Sequence, residues 1–451
     1  MALLNTLHPK QKQVLLIALP MIASNLTIPL LSLVDTAVVG HLEHAWYLGG
    51  VALGGSLISL LFLLLGFLRM STTGLTAQAY GARDSKAQRD CLLQAGLVAL
   101  LLAALLLLLH PLVLPTVHLF SQASSEVLQQ AAIYFQVRIW SAPAALLNMV
   151  LLGWFLGLHN ARYPMWLLLL NQSLNIALDL LFVLGFGWKV AGVAAASVIA
   201  DYSTLLVGLI LVRRMWQQQQ LAPFQWLQLK QLTGLARLFA LNRDIFIRSL
   251  CLQLVFVFIA FRGASYGDAI VAANAVLITF LMLVSYALDG FAYAAEATTG
   301  KAVGANDRND LQDLFRILAG WGLLLALLFS AFFWLAGPQL IALLTSIVEV
   351  RQTAADFLPW LIALPLLAVW SYLLDGIYIG ATKAKAMRNS MLLSFAGFII
   401  SYTTLQSLGN HALWFALSCF MLLRGITLAW PLYRAGAGYL MSENENIKNK
   451  S

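Results

Sequence analysis

The sequence predicts an all-α polytopic membrane protein, with twelve transmembrane helices in two parallel six-helix repeats. Three observations lead there. The 451 residues are 61% hydrophobic and only 10% charged, where soluble domains carry about 25% charged residues. Apolar runs of about 20 residues, enough to cross a bilayer, follow one another between short polar loops. The second half also repeats landmarks of the first at one offset, 223 residues.

Bounded by glycine, proline and charge, the runs fall at about 14–39, 48–73, 91–113, 130–156, 164–184, 190–212, 244–262, 270–295, 314–336, 354–379, 389–406 and 411–433. The first contains Pro20, Pro29 and a single formal charge, Asp35. It is longer than a signal-peptide core and no small-residue cleavage site follows it, so it is expected to be retained. Lys189, Arg262 and Arg351 fall on one side of the membrane and Arg69, Arg138 and Arg424 within spans; the other Lys and Arg residues share the side of the N-terminus. Positive charge gathers in cytoplasmic loops, which predicts that both ends are cytoplasmic. This topology also accounts for the formal charge of +8. The basic residues are dispersed through loops, and no nucleic-acid partner is expected. Cys91, Cys251 and Cys419 lie in or beside apolar runs and suggest packing, with neither a disulfide framework nor a metal cluster.

The domain reading is an N-terminal six-helix lobe over 1–213, a cytoplasmic linker over 214–243, a C-terminal six-helix lobe over 244–434 and a polar tail over 435–451. In the longest loop, basic residues alternate with Trp216, Phe224, Trp226 and Leu238. That pattern suits an interfacial segment on the inner leaflet and equally a plain tether.

The repeat rests on two segments. Gly81-Ala82-x-Asp84 returns as Gly304-Ala305-x-Asp307, and Gly157 and Ala161 return as Gly380 and Ala384, all at offset 223. Six spans per half is an even number, so both halves enter the membrane facing the same way. Transporters built of such repeats hold their sites near mid-membrane.

Subtracting the repeat isolates what belongs to one half. Asn171, Asn175 and Asp179 stand at i, i+4 and i+8 and share a helical face; their counterparts are Ser394, Phe398 and Tyr402. Together with Asp35, Asn175 and Asp179 form a candidate proton or cation site, with Ser197 in support. An intramembrane carboxylate costs about 2.5–3.5 kcal/mol and by default marks an ion or proton pathway. Two facing carboxylates share protons readily, and a hard cation such as Na⁺ would use the same oxygens. Tying helices together is the competing role for the amides and hydroxyl. Asn148 and Asn171 are supporting candidates, whereas Asp201 either joins the site or pairs with a basic residue. Pro20, fifteen residues before Asp35, removes a backbone hydrogen bond and is a candidate bending point. In the second half, Asp289 and Glu296 share a face and either bind a cationic substrate or pair with Arg262 or Arg69. Met282 and Tyr286 are candidate cavity walls.

No G-x-x-x-x-G-K-[ST] or H-E-x-x-H motif occurs, and the single G-x-S-x-G string, Gly263 to Gly267, lies in a short loop between two apolar runs and lacks the strand–turn–helix setting of a nucleophile elbow, so ATP-driven transport and the commonest hydrolytic chemistries lack their residues. No enzymatic activity and no cofactor are expected beyond the coupling ion, H⁺ or Na⁺.

The strings LPMIASNLTIPLLSLVDTAVVGHL, FLRMSTTGLTAQAYGA, SLNIALDLLF, YALDGFAYAAEATTGKAVGA and LLDGIYIGATKAKAMRNSM occur in this order. They resemble the multidrug and toxic compound extrusion (MATE) family, in its DNA-damage-inducible branch. The resemblance implies two six-helix lobes around a central cleft, and efflux by cation or proton antiport across a bacterial inner membrane. It places the family's N-lobe site on Asp35, Asn175 and Asp179, its sixth-span threonine on Ser197 by spacing, and its bending proline on Pro20. Some relatives also use acids in the seventh and tenth spans for sodium. Here the seventh has Gln253 and, apart from Asp244 at its edge, no acid, and Asp375 lies nearer the cytoplasmic end, which favours proton coupling. The expected protein is a monomeric secondary exporter of apolar or cationic organic compounds. A flippase for a lipid-linked precursor, or a receptor or scaffold without transport, is the alternative.

Overall fold

With so few charges to solvate, the chain satisfies its backbone internally, which inside a bilayer requires helices or a closed barrel. The computed structural model, which describes residues 8–40, 42–120, 123–222 and 235–441, is helical in every regular element among those residues. The helices are α1 (Pro9–Asn25), α2 (Ile28–Gly40), α3 (Ala45–Leu64), α4 (Phe67–Gly81), α5 (Ser85–Phe120), α6 (Ser125–Arg138), α7 (Ala142–Gly157), α8 (Arg162–Asp179) and α9 (Lys189–Gln218). They continue with α10 (Leu235–Ala264), α11 (Asp268–Gly304), α12 (Arg308–Leu344), α13 (Val348–Gly380), α14 (Ala384–Leu405) and α15 (Asn410–Ala435). Phe224 and Trp226 of the predicted linker, and the tail from Ser442, fall outside the described residues.

Among the described residues, eleven helical stretches are long and apolar enough to cross a membrane. Their outer faces carry large apolar side chains in the open, such as Leu108 at 74% and Phe261 at 76% exposure, a surface that suits lipid. The twelfth expected span is divided, because α1 has 17 residues and α2 has 13. Helix α1 runs through Pro20, and the interruption comes at residues 26–27, ahead of Pro29. Pro29 has no N–H to offer the Asn25 carbonyl, and its ring crowds that carbonyl. The Thr27 amide and hydroxyl turn back to the Ser24 carbonyl at 3.1 and 2.6 Å, closing the end of α1.

The chain forms two compact units, one of residues 23–80 and 84–239, the other of residues 1–22, 81–83 and 240–451. Residues 8–22 group with the C-terminal helices; the sequence reading took 1–213 as one lobe. Within that second unit, Lys10 bridges Asp310 and Asp313, at 2.8 Å from each.

The 223-residue repeat recurs in backbone detail. Asp84 accepts from the Ala87 amide and Asp307 from the Asp310 amide, both at 2.9 Å, so each repeated Asp caps the helix that follows it. Arg83 and Asn306 both have φ 56°, and His159 and Thr382 have φ 60° and 56°. These are left-handed residues that end helices in the same way in both halves. A Cβ on Gly153 would overlap the Arg69 carbonyl oxygen, and one on Gly376 would overlap that of Ala292. Glycine at these equivalent positions lets α7 meet α4, and α13 meet α11, backbone to backbone.

Candidate functional site

Four elements of the first unit converge on the site. Helix α2 brings Asp35, α8 ends on Asp179, and α9 brings Ser197 and Asp201. A π-helical turn, Leu180–Gly185, follows Asp179 directly. Such wide turns occur often at functional positions, and no residue type in the sequence announces this one.

The structure brings the four coupling candidates together. The Asp35 and Asp179 side chains stand within hydrogen-bonding reach of each other. Asp179 is 0% exposed and Asn175 3%. The Asn175 amide nitrogen donates to Ser197 Oγ at 2.7 Å, which fixes the amide with its oxygen turned away. Among the described residues, Asp35 Oδ1, Asn175 Oδ1 and both Asp179 carboxylate oxygens are buried with no donor. Unpaired buried acceptors are costly, which makes the cluster a candidate receiver of a proton or a hard cation.

The supporting candidates form a second network across α6, α7, α8 and α9. Asp201 pairs with Arg138 of α6 at 2.8 Å, the second of the two roles open to it from sequence. Asn171 donates to Asp201 Oδ1 at 2.9 Å and to Thr204 Oγ1 at 3.2 Å. Asn148 donates to the Asp201 backbone carbonyl at 2.9 Å, which leaves its own Oδ1 without a partner. Arg138 also donates to Ser141 and lies over the Phe62 ring.

The second unit has different contents at the equivalent positions. Moving Asp35, Asn175, Asp179 and Ser197 on by 223 residues gives Phe258, Phe398, Tyr402 and Phe420. These form an aromatic cluster, with ring centroids 5.4 Å apart for Phe258 and Phe398, 5.0 Å for Phe258 and Tyr402, and 6.3 Å for Phe398 and Phe420. The Tyr402 hydroxyl is engaged by Arg262 Nε at 3.0 Å and by Tyr266 at 2.8 Å. Where one unit has open acceptors, the other has a packed apolar core with one capped hydroxyl.

Asp375 is held by Arg248 of α10 and Arg424 of α15, a buried triad joining three helices. The sequence singled out Asp375 without a partner, and the unmatched intramembrane Arg424 was the available signal. Glu296 is buried on α11, while Met282, Tyr286 and Asp289 are half-buried along it. The Asp289 charge reaches Tyr286 and Tyr372, and Tyr372 bonds Ser285 at 2.6 Å.

Long apolar helices with a carboxylate pair enclosed among them mark a multi-pass membrane protein with an intramembrane acidic site. The MatE family model matches residues 20–181 and 245–428. DNA damage-inducible protein F of Escherichia coli (strain K12) is 51% identical over 414 residues, covering 92% of this chain and 90% of that protein. A probable multidrug resistance protein NorM of Bacillus anthracis is 25% identical over 360 residues, covering 78% and 79%. A crystal structure of MATE in the bent conformation matches with a TM-score of 0.83 at 19% identity over 97% of both chains. A MOP superfamily transporter from Pyrococcus furiosus matches at 0.82 with 20% identity over 96% of both. The chain belongs to the MatE family, a family of transporters and not of enzymes.

Proposed function

We propose that this protein is a secondary active exporter of apolar or cationic organic compounds, in exchange for protons. The observation that carries the reading is the group of donor-free buried oxygens on Asp35, Asn175 and Asp179. Two carboxylates this close in a water-poor bundle hold one proton between them when unliganded and release it on a change of surroundings. The aromatic residues at the equivalent positions of the second unit support placing coupling in the first unit alone. Proton uptake at Asp35 alters its bond with Asp179, and the first span answers by bending, with Pro20 and the break before Pro29 as its two weak points. Substrate affinity falls on the outward-facing side as the proton binds. The protein works as a monomer in the bacterial inner membrane, both termini cytoplasmic, with the lipid bilayer and small organic substrates as its partners. The names of two relatives, a DNA damage-inducible protein and a probable multidrug resistance protein, are in keeping with protective export.

The test is efflux of ethidium from proteoliposomes under separately imposed H⁺ and Na⁺ gradients. The wild type is expected to respond to the proton gradient and Asp35→Asn to fall to background. Coupling retained in Asp35→Asn, or flux driven by Na⁺ alone, refutes the proposal.

A further inference from the structure

Arg138 is a permanent positive charge in the same unit as the Asp35–Asp179 pair, and its field reaches Asp35. Left free, a guanidinium there would be the natural counter-ion of that pair, because an opposite charge within about 4–6 Å holds a carboxylate ionised. The structure shows it engaged elsewhere. Arg138 Nη1 bonds Asp201 Oδ2 at 2.8 Å. Asp201 is itself fixed, since Asn171 donates to its other oxygen at 2.9 Å and Asn148 to its backbone carbonyl at 2.9 Å. Asn175 lies one turn and Asn171 two turns before Asp179 on one face of α8, so this helix contributes to both the acceptor cluster and the clamp on Asp201.

We propose that Asp201 is a positioning residue for proton coupling: by holding Arg138 in an ion pair, it keeps that cation from neutralising Asp35 and Asp179. This rests on the proton-coupling reading above. It explains why an Arg and an Asp stand together in a costly environment beside the site: they offset each other, and only a residual field of Arg138 reaches Asp35.

The groups facing the pair are few among the described residues. Helix α6 presents Arg138 and Tyr134, and Tyr134 is within electrostatic reach of both Asp35 and Asp179. Helix α9 presents Asp201, with Lys189 at its far end, where Lys189 bonds Tyr47 of α3 at 2.9 Å and pairs with Glu43. Helix α8 contributes Asp179 itself, and the π-helical turn carries no titratable group.

The test uses the full chain in proteoliposomes and reads the external pH at half-maximal ethidium efflux. Asp201→Asn removes the counter-charge of Arg138, and the midpoint is expected to move to acid by about one pH unit, a tenfold higher proton concentration. The double variant Asp201→Asn/Arg138→Gln removes the freed cation and is expected to restore the wild-type midpoint. A purely structural role predicts lower flux at every pH with no shift and no rescue; that result, or an unshifted midpoint with flux retained, overturns the inference. Should Asp201→Asn fail to reach the membrane, Asn171→Ala loosens Asp201 instead. It is expected to give a smaller acid shift, and an unmoved midpoint refutes the inference. Asp35→Asn run alongside separates the two claims: if it loses coupling while Asp201→Asn keeps the wild-type midpoint, only the role of Asp201 fails.

Discussion

The Arg248–Asp375–Arg424 triad makes a prediction whose size follows from its burial. The three side chains are 8%, 7% and 3% exposed, so Asp375→Asn leaves two guanidiniums in the helix bundle with their shared counter-charge removed. Breaking a buried ion pair from one side costs about 3–5 kcal/mol. At about 2–4 °C per kcal/mol for a unit of this size, the apparent Tm in detergent should fall by about 10 °C. Size-exclusion chromatography after a temperature series reads this directly. The triple replacement Arg248→Met, Asp375→Leu, Arg424→Met removes all the charge together and should return most of the loss, because apolar side chains of similar volume often replace a buried ion group at little cost. Proton-driven efflux per folded molecule should survive in the triple variant, which separates this carboxylate from Asp35. A single variant within about 2 °C of wild type would show that the arginines do not depend on Asp375, and would refute the reasoning.

Two further predictions use the repeat. Gly153→Ala and Gly376→Ala each place a methyl against a carbonyl oxygen of the neighbouring helix; each should cost about 1–3 kcal/mol by overpacking, with similar losses of apparent Tm in the two halves. Asp84→Ala and Asp307→Ala each remove a helix cap held at 2.9 Å. Each should lower stability by about 1 kcal/mol, and Asn at either position should retain most of it in the same melting assay.

Much of the architecture was legible because membrane helices are written in long apolar runs, and a duplicated chain repeats its punctuation. The Asp84 and Asp307 caps, the left-handed residues after each pair of helices and the close glycines are all local features, and their sequence echo carried directly into the structure. The face shared by Asn171, Asn175 and Asp179 was legible from helical spacing, as was its absence from the other half. Other features depended on contacts between distant segments. Sequence pointed to Pro20 as a bending point, and α1 runs helical through it; the interruption before Pro29, where Thr27 closes the turn, was not read from sequence. The partner of Asp201 is sixty-three residues away in Arg138, beyond any periodicity argument. The π-helical turn after Asp179 comes from how the backbone repacks there, and Leu-Leu-Phe-Val-Leu-Gly does not signal it.

The aromatic cluster of Phe258, Phe398, Tyr402 and Phe420 bears on the energetics of a full transport cycle. If only one unit can bind and release a proton, a turnover that exports one monovalent cation and admits one proton moves no net charge. Membrane voltage then contributes nothing to pumping, and the pH difference sets the limit. One pH unit is worth about 1.4 kcal/mol and supports at most about a tenfold concentration ratio of the exported cation. An uncharged compound exchanged for the same proton would draw on the voltage as well. A single transporter would then clear neutral molecules more deeply than cationic ones, a selectivity set by charge balance and independent of the fit between a compound and its binding pocket.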